Sequence, residues 1–127
     1  MIGTRYFSGG AFEDKAGYSR AVIDPPYVHV AGTTGFDTET GEFPPDVESQ
    51  CENCFKIIGE ALASAGTSME NLIRIRVYLT KQGYMEQIIP ILKKHCDAAR
   101  PANTAIICGL IDDRMLVEVE ATAKIPD

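Results

Sequence analysis

The chain has 127 residues, enough for one domain with a sizeable apolar core. Its net charge of -6 and its pI near 4.9 argue against nucleic acid or an anionic membrane as partners, since both select basic surfaces. The opening MIGTRYFSGG lacks the apolar run of a secretion signal, no stretch reaches membrane-spanning length, and four cysteines are too few for a disulfide scaffold. A soluble cytoplasmic domain covering residues 1–127 is expected.

Arg5-Tyr6-Phe7 is a first strand, and the polar, Gly-containing run Ser8 to Lys15 reads as a loop. Tyr18 to Ile23 and Tyr27 to Ala31 form a hairpin about Asp24-Pro25-Pro26. In its second strand Tyr27, His29 and Ala31 share one face, and Val28 and Val30 the other. A loop from Gly32 to Gly41 leads to Pro44-Pro45-Asp46, where Asp46 is placed to cap a helix. That helix runs from Val47 to Ala65. Val47, Cys51, Cys54, Phe55, Ile58, Ala61, Leu62 and Ala65 make one stripe, and Gly66 stops it.

Leu72 to Leu79 is a strand with Ile73, Ile75, Val77 and Leu79 on one face and Arg74, Arg76 and Tyr78 on the other. Tyr84 to Cys96 is a second helix, in which Pro90 either lies in a late first turn or makes a kink. Thr104 to Cys108 and Met115 to Ala123 read as two strands joined by the turn Gly109 to Asp113. The second alternates strictly, with Val117, Val119 and Ala121 opposite Glu118, Glu120 and Thr122.

Layer logic makes this an α+β domain, one sheet backed by two helices on its apolar face. The opposite face carries His29, Arg74, Arg76, Tyr78, Glu118 and Glu120. It is either wet or closed against copies of the chain, with Arg74 and Arg76 pairing with Glu118 and Glu120 across subunits. Cys51-x-x-Cys54 falls on the helix's apolar stripe and reads as core rather than as a redox or zinc site. No metal is expected, and nothing places His95-Cys96 beside these cysteines. Cys108 lies on the strand after Asn103, with the opposite parity, and reads as helix-facing core rather than as a nucleophile. His29 is either an interior hydrogen-bonded histidine or a proton carrier.

Several segments, taken in order, resemble the RidA/YjgF family of small enamine/imine deaminases. They are Gly17-Tyr18-Ser19-Arg20-Ala21, Val30-Ala31-Gly32, Asp37 to Glu42, Pro101-Ala102 with its strand, and Val117-Glu118-Val119-Glu120-Ala121. The resemblance covers most of the chain, from Gly17 to Lys124. It implies a mixed sheet backed by two helices, a chorismate-mutase-like arrangement. It also implies a homotrimer whose sheets form a central barrel, with clefts between subunits. The reaction it implies is hydrolysis of a C=N bond without cofactor or metal: an enamine tautomerises to an imine, water adds, and ammonia leaves with a 2-keto acid.

Carried over residue by residue, the resemblance implies that Glu118 positions or activates water and that Tyr18 donates a hydrogen bond. It brings the backbone of Gly32 against a small-molecule substrate. Three positions depart from the family. Asn103 stands where active members carry an arginine that grips the substrate carboxylate, and Asn has neither the charge nor the fork. Ala31 replaces a cleft serine, and a helix Asn falls near Ile88 or Ile89. The chain thus resembles an arginine-lacking branch whose substrates need not be carboxylates. Arg76, Arg20 and Arg100 are the candidate replacement cations; Arg76 either reaches the cleft or only pairs with Glu118 and Glu120 between subunits. Two functions follow: a hydrolase of an imine, enamine or related C–N bond, or a non-catalytic metabolite-binding protein using the same cleft.

Overall fold

The computed structural model describes residues 2–127. Among these, six strands and three α-helices occur in the order β1 (Thr4–Tyr6), α1 (Ala11–Ala16), β2 (Ala21–Asp24), β3 (Tyr27–Thr34), α2 (Val47–Ser64), β4 (Leu72–Leu79), α3 (Tyr84–Cys96), β5 (Ala102–Ile107) and β6 (Val117–Lys124), with a 3₁₀ turn at Met69–Asn71 before β4. They form one mixed sheet, ordered β1-β2-β3-β6-β4-β5. Every neighbouring pair is antiparallel except β4 and β5, which run parallel.

The apolar periodicities become the core. Val28, Val30, Ile75, Val77, Leu79, Val117, Val119, Ala121 and Ala123 turn to one side of the sheet, where α2 covers β3 and β6. From α2 seven of the eight expected stripe residues, Val47, Cys51, Cys54, Phe55, Ile58, Ala61 and Leu62, are buried, while Ala65 is the half-buried C-cap. Burial of each large aliphatic contributes roughly 1.5–3 kcal/mol. The Asp46 carboxylate accepts from the Ser49 N–H at 2.8 Å, which caps the helix and holds that carboxyl below its usual range. At the other end Gly66 takes φ +82°, a left-handed turn that ends the helix. Cys51 and Cys54 are wholly buried, and burial pushes the Cys51 thiol up to about 12, so these are packing residues.

Several expectations need correction. Ser8 to Lys15 is not all loop, because Ala11–Ala16 forms the short helix α1. It turns Glu13 inward, where the carboxylate accepts from the Ser8 backbone N–H at 3.0 Å and from the Ser8 hydroxyl. That buried polar anchor leaves no apolar period to read. The first hairpin strand begins at Ala21, not Tyr18, and β3 continues to Thr34 through what reads as loop.

In β4 the face assignment fails at one residue. Leu72 pairs with Ala123 but Arg74 with Thr122, so Ile73 is an extra bulge residue; Leu72 fills the core and Ile73 is 43% exposed. Pro90 lies in the middle of α3 rather than in a late first turn. The last two strands are not a hairpin. The chain crosses over through α3, lays β5 parallel to β4 at the edge, and then inserts β6 between β3 and β4. A parallel neighbour requires such a crossover, and alternation specifies a strand's faces without naming its neighbours.

The core reading has a direct check. Ile58→Ala, at a site with no solvent exposure, is expected to lower the unfolding free energy by about 2–5 kcal/mol with an unchanged denaturant slope in urea titration.

Candidate functional site

The site grows from an irregularity in β3. Val30 pairs with Ala121 and Thr33 with Val119, so three steps on β3 span two on β6. The bulge carries Ala31 and Gly32, turns Thr33 into the core at 2% exposed, and brings the Gly32 backbone under β6. Glu118 lies directly over it. A Cβ on Gly32 would meet the Glu118 carboxylate, whose Cδ and Cγ would be 3.1 Å and 3.5 Å away, so a larger residue would displace that side chain.

Behind the bulge stands Arg20, 8% exposed. Its Nη1 donates to the Gly32 carbonyl at 2.6 Å and to the Thr33 hydroxyl at 3.1 Å. Its Nη2 donates to the Tyr18 hydroxyl at 3.2 Å, and its Nε faces the Glu13 carboxylate at 3.5 Å. The guanidinium also lies over the Tyr18 ring, 5.5 Å from its centre. Arg20 therefore binds α1, Tyr18 and the bulge into one unit, charge-balanced by Glu13.

Glu118 opens into a cavity of about 520 Å³, lined by Gly32, Tyr78, Cys108, Gly109, Leu110, Ile111, Glu118 and Glu120. Partial burial raises the pKa of Glu118; Arg20 opposes the shift and Glu120 adds to it. Glu120 is occupied. It accepts from the Tyr78 hydroxyl, which raises the pKa of that phenol, and it faces Arg76 Nη1 at 3.4 Å.

The sequence candidates thus divide. Glu118 and Gly32 meet in the cavity, with Ala31 beside them in the bulge. Tyr18 is not a wall of it and connects through Arg20. Arg76 shares the Glu118 face of the sheet but is paired with Glu120 and lines a separate small recess with Arg74, Ala121 and Thr122. Asn103 lies exposed on the edge strand, in register with Ile75, on the helix-facing parity and outside the cavity. Arg100 pairs with Asp97 at 3.4 Å, far along the chain from the bulge. His29 is exposed, with Nδ1 3.2 Å from the Thr122 hydroxyl.

Cys108 overturns its core expectation. It follows β5 on the same parity as Ile106 and Tyr78 and lines the cavity, because that parity faces the side of the sheet opposite the helices, whereas Asn103 has the helix-facing one. His95 stacks on Phe55 with ring centres 4.7 Å apart, and its Nε2 lies 2.6 Å from the Glu52 carboxylate, which braces α3 on α2.

Sequence reasoning missed Gln50 altogether. Fully buried in α2, its amide nitrogen donates to the Pro44 and Arg114 carbonyls at 2.7 Å and 2.9 Å, and its oxygen accepts from the Leu116 N–H at 2.9 Å. This clamp sets the start of β6, two residues before Glu118. The one available signal was an amide on an otherwise apolar helix stripe. All its hydrogen-bonding capacity except one lone pair is thereby used in the interior.

A mixed sheet backed by helices, with a bulge carrying a glycine beneath a strand carboxylate, defines a class of small α+β domain. Residues 9–125 match the family model described as Endoribonuclease L-PSP, and the chain belongs to this family, the RidA/YjgF family. It is 35% identical over 120 residues to SCO2049 of Streptomyces coelicolor, covering 94% of this chain and 90% of that protein. It is 27% identical over 107 residues to the 2-iminobutanoate/2-iminopropanoate deaminase of Mus musculus, covering 84% and 79%. Among solved structures, Rv2704 of Mycobacterium tuberculosis, a member of the YjgF/YER057c/UK114 family, superposes with a TM-score of 0.86 at 32% identity over 96% of this chain and 98% of that one.

The Glu118 environment predicts a pH signature. A carboxyl whose pKa is raised in the folded state binds protons more tightly there, so the fold loses stability as pH rises from the unfolded-state value near 4 through the folded value. Glu118→Gln removes this penalty. In urea titration the variant is expected to be more stable than the native chain at pH 7, by no more than about 1 kcal/mol because the group is half in solvent, and to match it below about pH 4.

Proposed function

We propose that this chain is a RidA-type hydrolase of an imine, enamine or related C–N bond, acting on a small molecule in the Glu118 cavity. The observation that carries the reading is the half-buried Glu118 carboxylate held over the Gly32 backbone, with its pKa raised by burial. A carboxyl poised above its ordinary range can take a proton from water as it attacks C=N and return it to the departing nitrogen. Tyr18, whose hydroxyl oxygen accepts from Arg20, supports the bulge through that arginine and would meet the substrate only where the cleft between subunits extends past the cavity walls. The deaminase named among the relatives supports this chemistry. The net charge of -6 and the two cavity carboxylates favour a small molecule over the nucleic acid that the family description suggests.

The assembly proposed is a homotrimer, with the helix-free sheet faces forming a central barrel and the clefts lying between subunits. Exposed Tyr27, Ile73 and Ile106 on the sheet and its edge strand are apolar surface that such packing would bury. The metabolite-binding reading is favoured by one observation: Asn103 leaves the edge strand without the cation that would orient a carboxylate substrate.

One assay separates the two. Imino acids made in situ by an amino-acid oxidase are trapped as semicarbazones, and loss of trapped product reports hydrolysis. The native chain or its Asn103→Arg variant is expected to accelerate imine loss. Adding Glu118→Gln to whichever form is active is expected to slow it at least about 100-fold, the scale of general acid–base catalysis. Inactivity of both forms on imino acids, together with inactivity on imines that lack a carboxylate, would favour the binding protein. Light scattering on the eluting peak should give three times 13.8 kDa, about 41 kDa; a monomeric mass would overturn the trimer.

A further inference from the structure

The proposed reading leaves the charge of the substrate open, and the walls of the cavity bear on it. Its two ionisable acids, Glu118 and Glu120, face the same space, and none of the lining residues is Lys, Arg or His. The nearest cations are engaged elsewhere. Arg20 lies behind the bulge, where the Gly32 carbonyl, Thr33, Tyr18 and Glu13 take its donors. Arg76 is held by Glu120 and belongs to the neighbouring recess. Glu120 is covered by Tyr78 and Arg76, whereas the Glu118 carboxylate has no hydrogen-bond or ion-pair partner among the described residues. The far wall, Gly109 to Ile111, is a neutral loop that offers Leu110 and the 88% exposed Ile111.

A carboxylate placed here would meet the unpaired Glu118 carboxylate, with Glu120 already matched by Arg76 and no cation in the cavity wall to hold it. A protonated C=N group would meet Glu118, while an alkyl or aryl substituent rests on Leu110 and Ile111. Resting on the C=N-hydrolase reading, we infer that the substrate is a cationic iminium with an apolar substituent and no carboxylate, derived from a primary amine rather than an amino acid. The step balances without any further reactant. Water oxygen bonds to the iminium carbon, Glu118 takes a water proton and passes it to nitrogen, and the C–N bond then breaks. R–CH=NH₂⁺ and H₂O give R–CHO and NH₄⁺. Two-electron oxidation of a primary amine is the class of reaction that supplies such a substrate.

The test uses a pair that differs only in the carboxylate. The imine of isoamylamine is generated by a flavin amine oxidase and that of leucine by an amino-acid oxidase, both with semicarbazide trapping and the native chain. Isoamylamine and 4-methylpentanoate binding is measured separately by calorimetry. The isoamylamine imine is expected to be consumed at least about 10-fold faster than the leucine imine, and isoamylamine to bind at least about 10-fold more tightly than the carboxylate. Glu120→Gln should narrow both ratios; its melting curve confirms that it is folded. Faster hydrolysis of the leucine imine would overturn this inference and leave the C=N reading standing. If neither imine is consumed, the C=N reading fails and binding alone decides the charge preference: selective isoamylamine binding sustains it, and carboxylate preference or no binding of either probe overturns it.

Discussion

The strict two-residue alternation of β6 is the constraint on which this molecule depends. Val117, Val119, Ala121 and Ala123 enter the core, while Glu118 and Glu120 emerge on the face that no helix covers. Because β6 pairs with β3 on one side and β4 on the other, a one-residue slip would bury both carboxylates and expose four core residues. The burial that stabilises the sheet therefore also sets which way the candidate catalytic group points. Gln50 reinforces this from the opposite layer by clamping the backbone just before the strand.

Around this strand the site is made by local departures from regularity. The β3 bulge adds one residue and lets the Gly32 backbone approach where a side chain could not fit. Arg20 then holds the bulge carbonyl, while Glu13, Tyr18 and Thr33 engage three more of its guanidinium N–H groups. A buried arginine is tolerated only when it is paired and hydrogen-bonded in this way. The arrangement also explains why a cation so near Glu118 is not free to grip a ligand. It is spent as structure, and its remaining effect on Glu118 is to oppose, without cancelling, the rise in pKa caused by burial.

The edge strand β5 gives the sheet its asymmetry. Its residues are exposed on both faces, and it carries Asn103 toward one side and Cys108, just beyond its end, toward the other. The parity of β5 against β4 decides this: Cys108 falls on the Tyr78 face, away from the helices, so its thiol lines the same cavity as Glu118.

Much of this was legible in the residues. The stripe of α2, its Asp46 cap and Gly66 stop, the first hairpin and the faces of β6 follow from periodicity and turn chemistry, which are local properties of a chain. The ordered motifs from Gly17 to Lys124 gave the family, and with it Glu118 and Gly32 as candidates for one site, though 86 positions separate them; that the Glu118 carboxylate lies over the Gly32 backbone came from the structure. Tertiary structure alone decided that β6 lies between β3 and β4, that Ile73 is squeezed out at a bulge, that Arg76 serves Glu120, and that Arg20 and Gln50 hold the site together. Strand neighbours, bulges and the partners of a buried polar group depend on long-range pairing. A sequence pattern records which face a residue prefers, but not what the fold brings against it.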